Sequence, residues 1–310
     1  MARPKVNWGG VFPAVTTQLR ADFSVDLDAT ARVIEALIRD GISGLVMCGT
    51  VGENPALTRS EKIALLEMAK ATARGRVPVL SGVAEYTSAF GSDYAREAAR
   101  AGIDGLMVMP AMVYPAKPRE TRDHFATIAR ATDLPIMIYN NPPSYRTDVT
   151  PAMLAELADY ETIVAFKDSS GDTRRIVDVR NMTGDRFIPF CGLDDVVLEC
   201  VMLGAVGWVS GMSNIFPREG ETLFRLARAG RYQEALAIYD WYMPLLHLDA
   251  RADLVQAIKL CEKIAGRGTD LCRPPRLPLD AAETAEIEAI MRQALATRPN
   301  LPDVGLPLAA

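Results

Sequence analysis

Short apolar runs recur along the chain, and each is followed by a longer segment whose apolar residues return every three or four positions. The runs cover 10–15, 44–47, 79–83, 105–109, 135–139, 163–167, 187–191 and 206–210. They are brief, several are rich in β-branched residues, and Gly or Pro bounds them, as expected of strands buried on both faces of a parallel sheet. The intervening segments have the helical period. Over 27–40, Leu27, Ala31, Ile34, Leu37 and Ile38 fall on one face. A helix over 60–73 opens at Thr58 or Ser60, ahead of an acidic first turn. The segments 27–40 and 93–101 run into GISG (41–44) and GIDG (102–105), where glycine suits the left-handed residue that ends a helix.

Eight such strands alternating with helices predict an α/β protein with a parallel sheet, and closure into a (β/α)8 TIM barrel is the simplest arrangement. An open doubly wound sheet would place a Gly-rich phosphate turn after the first strand, and VFPAVTTQLR (11–20) has none. Beyond Phe216 the pattern changes to helices without strands, over 219–229, 232–246, 254–264 and 281–295. The first closes the barrel and the others form a C-terminal helical extension. The expected division is a barrel over 1–230 and an extension over 231–310 packed on it. RPPRLPLD (273–280) reads as a rigid connector, and the tail beyond Arg298 is expected to be poorly ordered.

Composition narrows the function classes. At 310 residues, 49% hydrophobic and 24% charged, the chain buries a core that needs no metal or disulfide. Its net charge is −5 and it carries no Lys/Arg run, so neither nucleic acid nor an acidic membrane surface is an expected partner. The five cysteines are scattered and never spaced CxxC, which fits free thiols in a reducing cytoplasm. MARPKVNWGG lacks the apolar stretch of a secretory signal. The expectation is a cytoplasmic enzyme or small-molecule binder.

A barrel places its chemistry at the carboxyl ends of its strands. Those ends offer Gly49, Thr50 and Val51 after the second strand, Tyr114 beyond the fourth, and Tyr139 and Asn141 at the fifth. Lys167 ends the sixth strand, Gly192 follows the seventh, and Val209 and Gly211 lie at the eighth. Lys167 ends the otherwise apolar run IVAF. Desolvation there disfavours the charged amine, and a neutral lysine is a nucleophile for carbonyl carbon. The competing reading is a lysine that pairs with Asp168 or snorkels to water. Tyr139 ends the preceding strand, one βαβ unit earlier, so the two side chains can converge and the phenol can shuttle protons. GTVGE (49–53) offers successive backbone N–H groups and the Thr50 hydroxyl to a carboxylate. The two histidines, His124 and His247, fall in helical patterns away from strand ends, which disfavours zinc chemistry. Asp194 and Asp195 in the seventh loop disfavour a phosphorylated substrate.

GTVGE at 49–53, YNNP at 139–142, FKDSS at 166–170, GLDD at 192–195 and GWVSGMSN at 207–214 together resemble the dihydrodipicolinate synthase / N-acetylneuraminate lyase family. The resemblance spans roughly 10–278. It implies a barrel, commonly a homotetramer, with a Schiff-base lysine at Lys167 and a proton-shuttling tyrosine at Tyr139. It also implies a hydroxyl relay at Thr50, a carboxylate site at Thr50 and Val51, and no cofactor. Three departures stand out. Val51 replaces a second threonine. Pro110-Ala111-Met112 replaces a Pro-Tyr-Tyr segment, leaving Tyr114 to take the place of a tyrosine contributed across the subunit interface. Ser144 stands where the synthases carry arginine, with Arg146 displaced.

The strings VNWGGVFPAVTTQ, LSGVAEYT, MVMPAMVYPAKPRET, YNNPPSY, GLDDVVLE and MPLLHLD resemble a narrower group, the Δ1-pyrroline-4-hydroxy-2-carboxylate deaminases of hydroxyproline degradation. That resemblance implies a hydrolase or lyase that opens the cyclic imine on Lys167, eliminates water, and releases ammonia and 2-oxoglutarate semialdehyde. The alternatives are a lysine-dependent aldolase or dehydratase on a 2-keto-3-deoxy acid, a dihydrodipicolinate synthase-like condensation, and a non-catalytic sensor on a retired barrel. Ala111, Met112, Val113 and Val209 make a less polar mouth than a polyol substrate would want.

Overall fold

The computed structural model describes residues 6–307. Strands and helices alternate: β1 (Gly10–Pro13), α1 (Leu27–Arg39), β2 (Leu45–Met47), α2 (Arg59–Ala73), β3 (Val79–Val83), α3 (Ser88–Arg100), β4 (Gly105–Val108), α4 (Pro118–Ala129) and β5 (Ile136–Asn140). After β5 come α5 (Pro142–Tyr145), α6 (Pro151–Glu156), β6 (Ile163–Asp168), α7 (Arg175–Thr183), β7 (Ile188–Cys191), α8 (Val197–Met202), β8 (Gly207–Ser210) and α9 (Pro217–Arg228). Three further helices follow: α10 (Tyr232–Asp249), α11 (Leu254–Ile264) and α12 (Ala281–Ala296).

Among the described residues all eight strands are parallel, in the order β1-β8-β7-β6-β5-β4-β3-β2. A parallel bridge between Ala14 and Val46 joins the two ends, so the sheet is the TIM barrel that the alternating pattern predicts. Within the barrel Phe12 and Phe190 meet edge to face at 5.3 Å. The Phe190 ring fills the space above Gly207, where a Cβ would lie 2.1 Å from it. Large and small residues on neighbouring strands thus interdigitate in the barrel interior.

Local signals set the helix ends. Thr58, rather than Ser60, caps α2 and forms a reciprocal capping box with Glu61. Thr87 caps α3, which begins at Ser88, earlier than the pattern over 93–101 suggests. Among the described residues all five cysteines are free.

The extension is tied to the barrel through buried polar groups. Lys259 on α11 is wholly buried, 2.7 Å from Glu53 Oε1 and 2.8 Å from the Thr17 carbonyl. Glu262, one turn on, accepts from the Thr16 hydroxyl at 2.8 Å. In the connector, the Arg273 N–H donates to Glu53 Oε2 at 2.8 Å, and the guanidinium reaches Glu61 and the Ala56 carbonyl.

The tail does not behave as expected. Arg225 on α9 donates to the carbonyls of Val304 and Gly305, at 3.2 and 3.1 Å, and Arg218 donates to that of Pro307 at 2.6 Å. Leu301 and Val304 pack on the core. Captured carbonyls and two apolar anchors hold 299–307 against the barrel, which a Pro- and Gly-rich composition conceals. Residues 308–310 lie outside the described residues. Among the described residues no helix is long and apolar enough to cross a membrane.

Candidate active site

β5 and β6 are neighbours in register, with Tyr139 opposite Lys167 and Asn140 opposite Asp168. Residues opposite one another on adjacent parallel strands point to the same face, and at this end of the barrel that face is the mouth. The Lys167 side chain is only 6% exposed, and its Nζ lies 3.8 Å from the centre of the Tyr139 ring. Asp168 is not its partner: that carboxylate accepts from Asn140 Nδ2 at 2.8 Å and from Ser170. The amine is thus held beside a phenol at the head of a cavity, neither snorkelling to bulk water nor paired with its neighbour in sequence.

That cavity measures about 140 Å³, well below the roughly 300 Å³ at which drug-sized ligands begin to fit. Thr50, Val51, Asn141, Gly192, Val209 and Gly211 line it together with Tyr139 and Lys167. Gly49 shapes the turn without lining the cavity: its carbonyl accepts from the Asn54 N–H at 3.2 Å. Burial raises the Tyr139 phenol, but the Lys167 ammonium and the Asn141 amide, 3.1 Å from the phenol oxygen, outweigh it, so the phenol titrates below its ordinary range. An easily ionised phenol beside an amine can pass protons to and from a carbinolamine.

Tyr114 stands elsewhere. It is 57% exposed and its hydroxyl is directed at Glu120, 3.4 Å away. The phenol that reaches Thr50 is Tyr145, whose oxygen is 2.6 Å from Thr50 Oγ1 and whose ring meets that of Tyr139 edge to face at 5.5 Å. Burial, then the neighbouring Tyr139, push the Tyr145 phenol well above its usual range. Thr50 therefore connects to Tyr139 through an aromatic residue of the same chain. The signal was the YNNPPSY string: Asn141 accepts from the Ser144 N–H at 3.1 Å, capping a one-turn helix that turns Tyr145 back over the barrel. Arg146, just beyond, is exposed and does not line the cavity.

The two aspartates of GLDD are held by partners outside the cavity. Asp194 is buried and accepts from Trp208 Nε1 at 2.8 Å, Ser210 Oγ at 3.1 Å and the Met212 N–H at 2.7 Å. Asp195 pairs with His247 at 3.0 Å. Neither lines the cavity, but both act on Asp249, which does. The carboxylate that does line it is Asp249, the last residue of α10, accompanied at the rim by Arg251. A helix drawn only to residue 246 hides it. Arg251 is already held by Asp253, through two bonds of 2.9 Å, and by Glu286 at 3.1 Å. His124 is buried between Ser88 and the Met109 carbonyl, away from the mouth.

Comparison with known proteins agrees with this geometry. The model of the dihydrodipicolinate synthetase family matches residues 7–294. A 4-hydroxy-tetrahydrodipicolinate synthase of Sorangium cellulosum is 33% identical over 293 residues, covering 93% of this chain and 97% of that protein. One from Chelativorans sp. is 32% identical over 286 residues, covering 92% and 98%. Among solved structures, YagE of Escherichia coli K12, a family member in complex with pyruvate, superposes with a TM-score of 0.88 at 27% identity, covering 94% of this chain and 99% of that one. A dihydrodipicolinate synthase from Bacillus anthracis gives 0.89 at 26% identity, covering 93% and 98%. These relatives support the family and not the narrower resemblance to the pyrroline deaminases. The chain belongs to the dihydrodipicolinate synthetase family.

Proposed function

We propose that this enzyme is a lyase of the lysine Schiff-base class that holds a short 2-oxo acid, or the cyclic imine of one, on Lys167. The observation that carries this reading is the Lys167 amine, 3.8 Å from the Tyr139 ring at the head of a cavity of about 140 Å³. Lys167 attacks the carbonyl or imine carbon, Tyr139 moves the protons, and Thr50 with Tyr145 relays them to the mouth. The substrate carboxylate rests on the Thr50–Val51 turn. With Val51 in place of a second hydroxyl, the backbone N–H groups bind it. The Schiff base is itself the electron sink, so no organic cofactor is required.

Within that class the proposed substrate is Δ1-pyrroline-4-hydroxy-2-carboxylate. Condensation with aspartate semialdehyde would bring a second carboxylate into the site. Of the cavity-lining residues only Lys167 and Arg251 are cationic, and Arg251 is already engaged by Asp253 and Glu286. A five-carbon imine with a single carboxylate makes no such demand. Transimination on Lys167 opens the ring, loss of the adjacent CH2 proton and of the hydroxyl gives an unsaturated amine, and hydrolysis releases ammonia and 2-oxoglutarate semialdehyde. The second reading is 4-hydroxy-tetrahydrodipicolinate synthesis, favoured by the names of the relatives.

One assay separates them. The purified enzyme is given the hydroxypyrroline carboxylate, pyruvate plus aspartate semialdehyde, N-acetylneuraminate and a 2-keto-3-deoxy sugar acid in parallel. Ammonia release from the first alone supports the deaminase. Consumption of aspartate semialdehyde with pyruvate supports the synthase. Turnover of either sugar acid supports an aldolase or dehydratase. A homotetramer in the cytoplasm is the assembly and location we propose with it, and light scattering of the purified protein tests the assembly.

A further inference from the structure

The cavity holds one carboxylate for which the proton traffic between Lys167, Tyr139, Tyr145 and Thr50 has no use. Asp249 comes from the helical extension, at the end of α10, and lines the cavity at the barrel mouth. Its carboxylate lies against the backbone of Gly211, so closely that a Cβ there would be 2.2 Å from Asp249 Oδ1. Gly211 has ordinary right-handed backbone angles. Glycine is therefore required at this position to let the carboxylate in, not to permit an unusual turn. The cavity wall is cut away to admit Asp249.

The groups that face Asp249 come from several elements. Lys167 on β6 is the largest influence after burial itself, and from the loop after β7 Asp194 contributes a backbone hydrogen bond and Asp195 its charge. Tyr139 on β5 and Tyr145 on α5 also sense its charge. Burial raises the carboxyl, the Lys167 ammonium lowers it in part, and it titrates at about 6. It can therefore carry a proton near neutrality, as a general acid must.

We infer that Asp249 is the acid that protonates the departing hydroxyl in the elimination step, which makes it a catalytic residue of the extension rather than of the barrel. The inference rests on the deaminase reading. After ring opening, Tyr139 removes a proton from the CH2 beside the Schiff-base carbon, leaving a neutral enamine on Lys167. The cationic nitrogen that held the Asp249 proton loosely has then lost its charge, so the carboxyl keeps its proton up to the moment of transfer. The enamine nitrogen lone pair re-forms C=N and the enamine double bond shifts one carbon outward. The C–O bond breaks with its electron pair on oxygen, which takes the proton from Asp249 and leaves as water. Asp249 remains as a carboxylate beside an unsaturated iminium cation. It regains a proton from the aminomethyl carbon in the tautomerisation that follows, while Tyr139 returns its own to the CH. No oxidant, reductant or metal enters the balance.

The test separates proton exchange from elimination. Wild type, Asp249→Asn and Asp249→Glu are incubated with the hydroxypyrroline carboxylate in deuterium oxide. Deuterium entry at the CH2 above the uncatalysed rate, ammonia release, and the mass of the borohydride-trapped adduct on Lys167 are all followed. Trapping with pyruvate serves as the control for an intact fold. In Asp249→Asn, ammonia release should fall by about 100-fold or more, exchange should continue, and the trapped adduct should retain the hydroxyl, one water heavier than the dehydrated form. Asp249→Glu should recover part of the lost rate. Ammonia release by Asp249→Asn within about threefold of wild type would overturn the inference. So would a parallel fall in exchange, trapping and ammonia, which would assign Asp249 to Schiff-base formation or to folding. If wild type traps pyruvate but releases no ammonia, the deaminase reading itself fails and this inference falls with it.

Discussion

The Thr50 hydroxyl lies 2.6 Å from the phenol oxygen of Tyr145, a residue of its own chain. The pair completes a path from the cavity to Tyr139, whose ring Tyr145 meets edge to face. The path does not need a residue from a neighbouring subunit.

If Tyr145 and Thr50 form one relay, removing either hydroxyl breaks the same path. Tyr145→Phe and Thr50→Val should each lower kcat by about 100-fold with little change in KM, and the double variant should be no slower than the worse single one, because groups that act as a unit are not additive. Steady-state kinetics on the three variants checks this. Multiplicative losses would mean that the two hydroxyls act separately.

The GTVGE turn is anchored from the extension, since Glu53 on that turn pairs with the wholly buried Lys259 at 2.7 Å. Lys259→Met leaves a buried carboxylate without its cation, a loss of about 3–5 kcal/mol. Urea unfolding should show that loss, and KM for the 2-oxo acid should rise because Thr50 and Val51 sit on the same turn. The Glu53→Gln/Lys259→Met double variant should be the more stable of the two, as it leaves no stranded charge. A double variant as weak as Lys259→Met would contradict the pair's assigned role.

Glu262 gives a pH dependence of defined sign. Burial raises its carboxyl to about 7, although the Thr16 hydroxyl and the Lys259 ammonium oppose the shift. A folded-state value above the unfolded one means that the native state binds the extra proton, so this group's contribution to stability is complete below about 4.5 and is lost as pH rises towards 7. Glu262→Gln keeps an acceptor for Thr16 without the buried charge. It should stabilise the protein by roughly 1–3 kcal/mol at pH 8 and leave it nearly unchanged at pH 4. Melting temperatures at the two pH values decide it, and a loss of stability at pH 8 would contradict the sign.

What the sequence revealed and what it hid divide along physical lines. Lys167 and Tyr139 were legible because strand ends in a barrel converge by construction, and the two residues stand in register on neighbouring strands. Val51, Asn141, Gly192, Val209 and Gly211 line the cavity for the same reason, their places at strand ends. Tyr145 was obscured by the PPS preceding it, because a one-turn helix held by a single Asn141 cap leaves no periodicity to read. Tyr114 looked equivalent in one dimension, yet its loop carries it outward. Asp249 is distant in sequence from every strand end, and it enters the cavity only because α10 continues to residue 249. The docked tail depends on arginines of α9 about 80 positions earlier, a pairing that no local pattern encodes.

The most direct measurement of the central claim is the mass of the protein after sodium borohydride treatment with pyruvate, mapped by peptide digestion, for wild type and Lys167→Ala. A covalent lysine at the mouth predicts one reduced adduct per chain on the peptide containing Lys167, with neither adduct nor turnover in the variant. An unmodified wild-type chain, an adduct on another lysine, or turnover that survives in Lys167→Ala would contradict it.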